Sequence, residues 1–221
     1  MVPHASPSSG PGLLDRLRPE REPIAPGAIL LRGFAASEIA RAVREIESIS
    51  AISPFRHMVT PGGGRMSVAM TSCGLGWVTD RCGYRYDATD PETGAPWPPI
   101  PAWFAALAAG AAAAGGYDGF APDACLINRY APGAKMGLHQ DRDERDLAQP
   151  IVSVSLGLPA TFLWGGARRG DRPRRIHLES GDVVVWGGAS RLIFHGIATL
   201  LDGVDGLTER ARYNLTFRRA R

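Results

Sequence analysis

His139 and Asp141 stand two residues apart in MGLHQDRDE, residues 136–144, in a chain with only five histidines. Side chains two apart on an extended strand point the same way. If residues 138–141 are extended, an imidazole and a carboxylate therefore project together as two ligands of a metal site. A third ligand has to come from elsewhere, and His195, inside the apolar, strand-like RLIFHGI, is the best candidate. Two histidines and one carboxylate on one face of an octahedron leave three positions open, the arrangement with which non-haem iron centres bind a cosubstrate and O2. Zinc accepts the same ligand types, and an isolated His-x-Asp carries little weight alone. His4, His57 and His177 fall in an N-terminal tail, beside a Pro-Phe turn and in a charged segment, and are expected at the surface or in packing.

A second pattern closes the chain. In RYNLTFR the residues Arg212, Asn214, Thr216 and Arg218 share one strand face, and Tyr213, Leu215 and Phe217 share the other. An apolar face meets a core, so the polar face with its two arginines lines something. Their Cα atoms are roughly 20 Å apart at the rise of a strand, and the side chains can reach inward to bracket a small dicarboxylate. The planar guanidinium fork suits carboxylate. In ACLINRY the same alternation sets Asn128 and Tyr130, with Leu126, on one face as donors to that ligand. A solvated strand face with surface arginines produces the same pattern.

The elements that must position these groups are legible in outline. A chain of 221 residues, 44% hydrophobic, is long enough for one good core. Residues 1–20, opening MVPHASPSSGPG, read as a flexible tail, and residues 21–221 as a single domain. A net charge of +3 does not by itself speak for nucleic-acid binding. Cys73, Cys82 and Cys125 lack zinc-site spacing and are odd in number, which argues against a disulfide framework and for a reducing, cytoplasmic location. No apolar run approaches the ~18 residues of a membrane span, and a soluble monomer is expected. Ile39, Val43, Ile46 and Ile49 recur at helical spacing within residues 37–50, and PAWFAALAAGAAAAGG predicts a second helix from Pro101 to the Gly115–Gly116 stop. After Pro122 come short β-branched or alternating segments: ACLINRY, IVSVSLGL, TFLW, RRIHL, DVVVWGG, RLIFHGI and RYNLTFR. The reading is α+β: a double-stranded β-helix, or jelly roll, of C-terminal strands buttressed by N-terminal helices.

Taken together, PDACLINRYAPGAKMGLHQDRDE, PIVSVSLGLPATFLWGG, GDVVVWGG, FHGI and RYNLTFR closely resemble the bacterial AlkB family of Fe(II)- and 2-oxoglutarate-dependent dioxygenases. The likeness is densest from Pro122 to His195 and in the last ten residues, and reaches loosely back to about Pro23. The resemblance implies His139, Asp141 and His195 as iron ligands, and Asn128, Tyr130, Arg212, Asn214 and Arg218 as 2-oxoglutarate contacts. It implies O2 as the second cosubstrate and, as the reaction, oxidative demethylation of bases such as 1-methyladenine and 3-methylcytosine with loss of formaldehyde, in alkylation-damage repair. Alkylated single- or double-stranded DNA, or RNA, is then the partner. A base must leave its stack to be reached. Trp77 and the Tyr84-Arg85-Tyr86 run resemble the family's nucleotide-recognition lid, with Trp77 stacking the damaged base against His139 and the other three meeting the backbone. Asp143 matches the contact to the exocyclic amino group, and Arg169 another substrate contact. Gly64 departs from the pattern, standing where related sequences can carry an aromatic. Arg168, Arg172, Arg174 and Arg175 form with Arg169 a basic turn, read either as a phosphate-binding patch or as a solvated hairpin. Two rival functions remain open at this level: a nucleic-acid-binding module with a non-catalytic metal site, and a 2-oxoglutarate dioxygenase with a different acceptor.

Overall fold

The computed structural model describes residues 20–81 and 83–221. The expected tail, apart from Glu20, lies outside the described residues, as do His4 and Cys82. Two antiparallel sheets carry the fold. The larger has seven strands in the order β1 (Arg21–Ala25), β2 (Ala28–Leu31), β11 (Val183–Trp186), β8 (Ile151–Gly157), β13 (Arg212–Arg218), β6 (Ala124–Tyr130) and β3 (Ala69–Gly74). The smaller has four: β10 (Arg174–Leu178), β9 (Ala160–Trp164), β12 (His195–Ile197) and β7 (Met136–His139). A separate hairpin pairs β4 (Gly76–Asp80) with β5 (Gly83–Asp87).

Except at its edge strand β1, the large sheet is buried on both faces, and strand alternation divides its side chains between two cores. Toward the small sheet, Leu30, Met70, Ile151 and Trp186 pack with Phe162, Trp164, Ile176 and Ile197. On the other face Ile127, Val152, Val154, Leu156, Leu215 and Phe217 meet two helices, α1 (Ile39–Ile52) and α2 (Ala102–Ala114). α1 presents Ala42, Val43, Ile46 and Ile49 inward. α2 buries Phe104, which meets Phe217 edge-on at 5.8 Å, a geometry contributing about 0.5–1.5 kcal/mol beyond its buried area. The alanine run lets α2 lie close. At its end a Cβ on Gly115 would stand 2.8 Å from Val185 Cγ1, so only glycine fits. This is the jelly-roll core with buttressing helices that the sequence implies.

Two expectations need correction. Strands are not confined to the region after Pro122, because β1 to β5 all precede α2. Their segments are short and lack strong alternation; β2 and β3 become strands by pairing with β11 and β6, so tertiary context overrides a weak local signal. RLIFHGI is also strand only over its last three residues, because Arg191–Phe194 turn after a short 3-10 segment. Smaller shifts sit at helix ends: Pro101 precedes α2 rather than opening it.

A buried acid ties the segment after the hairpin to the helical layer. Asp90 accepts from Ser53 Oγ at 2.9 Å and pairs with both terminal nitrogens of Arg56. Burial alone would raise its carboxyl, but the Arg56 guanidinium, the Glu92 N–H and Ser53 outweigh this and bring it down to about 2. A depressed carboxylate stabilises the fold fully above its ordinary value of 3.8, and the contribution is lost as pH falls through about 2. Asp90→Asn is therefore expected to lower the unfolding midpoint at pH 6 and to flatten the stability loss between pH ~4 and ~2, measured by urea unfolding. A variant with the wild-type acid profile would exclude this ion pair as its source.

Candidate active site

β7 and β12 are neighbours, and their register sets His139 directly opposite His195. The rings lie 4.5 Å apart. Asp141 lies just beyond the end of β7, yet its carboxylate turns back between the two rings. Its Oδ1 is 3.6 Å from His139 Nε2 and its Oδ2 3.7 Å from His195 Nε2. His139 Nδ1 is 2.9 Å from the Gly137 carbonyl and His195 Nδ1 3.0 Å from that of Ile193. An Nδ1–H donating to a carbonyl leaves the Nε2 lone pair facing inward, as a metal ligand requires. Among the described residues this is the one group of three or more such side chains able to hold a metal ion, with all ligand atoms within 4.8 Å of one another. Burial and His139 hold the His195 imidazole at about 4 against the pull of Asp141, so it is neutral at physiological pH. Burial works against the Asp141 carboxylate as well, but Arg218 and the two imidazoles keep it well below the usual carboxylate range.

The alternation expected of β13 and β6 is observed. Arg212, Asn214, Thr216 and Arg218 face the cavity between the sheets with Asn128 and Tyr130, and the cavity, about 50 Å³, is shared with the histidines and Asp141. The two arginines are placed unequally. Arg218 donates from Nε and Nη2 to Asp141 Oδ2, at 3.1 and 2.8 Å, leaving its buried Nη1 without a hydrogen-bond partner. Arg212 is 1% exposed and donates to Ser155 Oγ at 3.0 Å, while its Nε and Nη1 are orphaned. Asn128 Oδ1 is orphaned too. Buried N–H groups without partners are costly and point to a ligand, and two arginines at one cavity suit a dianion. The donors left open thus fit 2-oxoglutarate, and the three ligands fit Fe(II). Burial pulls the Arg212 guanidinium down, partly offset by Tyr130. It also pushes the Tyr130 phenol up to about 12, so that phenol remains a donor.

The β4–β5 hairpin brings aromatics to the acids that follow the histidine. Trp77 stacks on Tyr84 at 5.3 Å and 14°, and its indole N–H donates to Asp143 Oδ2 at 2.8 Å. The sequence expectation set the damaged base between Trp77 and His139; the ring stacked on Trp77 here is that of Tyr84. Tyr86 donates to Glu144 Oε1 at 2.5 Å. Hairpin alternation separates Arg85 from its tyrosine neighbours, and Arg85 pairs with Asp80 at 2.7 Å and with Asp87 at 3.6 Å. Gly64 is exposed in a Thr60–Gly64 turn, with only Thr60 Oγ1 near a would-be Cβ. Arg169 is exposed, with its guanidinium carbon 5.8 Å from the Phe194 ring centre, beside His195. Arg172, Arg174 and Arg175 are exposed, and Arg168 pairs with Asp171 at 3.3 Å.

Two residues escaped the sequence reading. Glu144 and Arg191 are buried and joined at 2.8 Å, and Arg191 Nη1 also donates to the Asp141 carbonyl. Glu144 lies in QDRDERD, where the expectations rested on its neighbours Asp141 and Asp143. The available signal was Arg191, a lone cation beside Leu192, Ile193 and Phe194.

Known proteins share this arrangement of chain. The model of the 2OG-Fe(II) oxygenase superfamily matches residues 27–218. The Alpha-ketoglutarate-dependent dioxygenase AlkB of Escherichia coli (strain K12) is 59% identical over 203 residues, 91% of this chain and 94% of that protein. The Alpha-ketoglutarate-dependent dioxygenase AlkB homolog of Caulobacter vibrioides (strain NA1000 / CB15N) is 47% identical over 171 residues, 76% of each chain. Among solved structures, that of OsALKBH1 superposes with a TM-score of 0.81 at 32% identity, covering 90% of this chain and 99% of the other.

Proposed function

This chain belongs to the bacterial AlkB family of the 2OG-Fe(II) oxygenase superfamily, and we propose that it oxidatively demethylates N-alkylated nucleobases in direct repair of alkylation damage. It is an Fe(II)- and 2-oxoglutarate-dependent dioxygenase. The observation that carries the reading is the adjacency, in one cavity, of the His139–Asp141–His195 group and two buried arginines with unpartnered N–H groups. A purely structural metal site has no use for open anion donors beside it, which weighs against a binding module.

When bound, iron with 2-oxoglutarate and O2 supplies an oxidation that converts 2-oxoglutarate to succinate and CO2 and hydroxylates the N-alkyl carbon, which then departs as formaldehyde. The protein's part is position and exclusion of water. His139, Asp141 and His195 would hold the metal. Arg218, in contact with Asp141, would hold the end of the cosubstrate next to the metal, and Arg212, with Asn128, Tyr130 and Asn214, would hold the other carboxylate. Trp77 supplies a stacking ring, worth about 1–3 kcal/mol per base, with Tyr84, Arg85, Tyr86 and Arg169 beside the sugar-phosphate path. Asp143 accepts the exocyclic amino group in place of the Trp77 indole. We read the acceptor as DNA, single-stranded or locally opened, with RNA as competitor, and the protein as a cytoplasmic monomer. Among the described residues no helix is long and apolar enough to cross a membrane.

The test is mass spectrometry of a single-stranded oligonucleotide bearing one 3-methylcytosine, as DNA and as RNA, incubated with protein, Fe(II), ascorbate and 2-oxoglutarate while succinate is measured in the same tube. Loss of the methyl group with matching succinate is expected. Succinate without demethylation of either strand would overturn the base as acceptor.

Two narrower outcomes follow. Asp143→Ala is expected to keep turnover and change the ratio of 1-methyladenine to 3-methylcytosine repair, because it removes the amino-group interaction, and the Trp77 hydrogen bond with it, while leaving the three metal ligands in place; an identical base profile would remove Asp143 from the base pocket. If the exposed arginines of the β9–β10 turn meet phosphates, neutralising Arg168, Arg172, Arg174 and Arg175 together lowers the slope of log affinity against log salt by up to ~0.7 for each single-strand phosphate they had neutralised. An unchanged slope would return them to the solvent.

A further inference from the structure

Glu144 stands outside the metal group and outside the hairpin; it touches the hairpin directly and reaches the metal group through Arg218 and Arg191. Its Oε1 accepts the Tyr86 O–H at 2.5 Å and lies 3.3 Å from Arg218 Nε, while its Oε2 accepts from Arg191 at 2.8 Å. Arg218 holds the Asp141 carboxylate, and Arg191 holds the Asp141 main-chain carbonyl and donates from Nε to the Gln149 carbonyl at 2.9 Å. Two acids and two guanidiniums are thus buried together, with Tyr86 as the hairpin's link to them. The geometry points to Glu144 as a positioning residue that locks the hairpin's closed pose to the pose of Asp141, so that base capture and cosubstrate binding favour one another. The inference rests on the reading of His139, Asp141 and His195 as metal ligands.

The physical reason is competition for Arg218. That guanidinium is shared between Asp141 and Glu144. When Tyr86 supplies a proton to Glu144 Oε1, this oxygen needs less from Arg218, which is free to clamp Asp141 and present Nη1 to the cavity. When the hairpin lifts away, Oε1 loses its hydroxyl donor and draws on Arg218 more strongly. Coupling of this kind is reciprocal. Whatever engages Arg218 and Asp141 from the cavity side must therefore steady the hairpin.

Hydrogen exchange tests this without turnover, with Mn(II) and 2-oxoglutarate as the probes. In the wild-type protein, adding both is expected to slow exchange of the β4–β5 amides by about tenfold, within the range of ordinary coupling energies. In Tyr86→Phe and in Glu144→Gln the slowing should fall to about twofold or less, and the double variant should be no worse than either single, because both cut the same link. Amides of β8 and β13 should stay protected in Tyr86→Phe, which leaves all four charges in place. Tyr86→Phe carries the test alone if Glu144→Gln does not fold. Equal slowing in the variants, or losses that add, would overturn the coupling. A wild-type protein showing no thermal stabilisation by Mn(II) with 2-oxoglutarate would instead overturn the metal-site reading, and the coupling with it. Stabilisation without any hairpin response would overturn the coupling alone.

Discussion

Asp141→Ala is expected to abolish succinate formation, with or without an alkylated oligonucleotide, and to destabilise the protein at the same time. The carboxylate is the only acid in the group, lying within 3.7 Å of both imidazole Nε2 atoms. Without it, two histidines remain, one ligand short of the two-histidine, one-carboxylate face that suits Fe(II). The same change leaves Arg218 with one fewer carboxylate in a buried site, and removing one partner of a buried ion pair costs about 3–5 kcal/mol. Glu144, 3.3 Å from Arg218 Nε, compensates in part, so the loss should fall at the lower end. Two readouts separate the effects. Succinate release reports the metal site, and urea unfolding of metal-free protein reports the ion pair. Measurable cosubstrate turnover in the variant would sink the assignment of Asp141 as a ligand, and unchanged stability would sink its pairing with Arg218 in solution.

How much of this was legible beforehand depends on whether a residue's role follows a period or a partner. Strand alternation has a fixed period of two, so the inward faces of ACLINRY and RYNLTFR could be read directly, and both strands occur over those very residues. His195 followed from its apolar setting, though its strand is only three residues long. β2 owes its form to pairing with distant β11, which no local window contains, and the edge strand β1 pairs in turn on β2. Glu144 was hidden for a related reason. Asp143 is exposed and Glu144 buried, neighbours in one charged run, and only the position of Arg191, 47 residues on, decides which acid turns inward. A buried ion pair joined across such a separation has no periodicity to betray it.

Arg212 offers the sharper prediction, because its contributions to stability and to function should have opposite signs. It is buried, and among the described residues it donates to Ser155 and has the Tyr130 ring as its other favourable neighbour, 5.2 Å from its guanidinium carbon. A guanidinium in that setting keeps its desolvation penalty without a counter-charge, and replacing such a group by an apolar one of similar size is often neutral or stabilising by about 1–4 kcal/mol. Arg212→Met is therefore expected to leave the cosubstrate-free protein as stable as the wild type, or more so. Its binding of 2-oxoglutarate should weaken sharply, since a lost charge-assisted hydrogen bond is worth about 1.5–3 kcal/mol, and two at the lower figure raise the KM roughly a hundredfold. With Mn(II) and 2-oxoglutarate at about 100 times the dissociation constant, the wild-type protein should gain about 2.7 kcal/mol of stability, and the variant almost nothing. Thermal unfolding with and without the pair, beside KM from succinate release, measures both signs. A variant that unfolds easily even without cosubstrate would show Arg212 to be a structural cation with an unrecognised partner. An unchanged KM would move the dicarboxylate away from Arg212 and leave the orphaned Nε and Nη1 to be explained by something else.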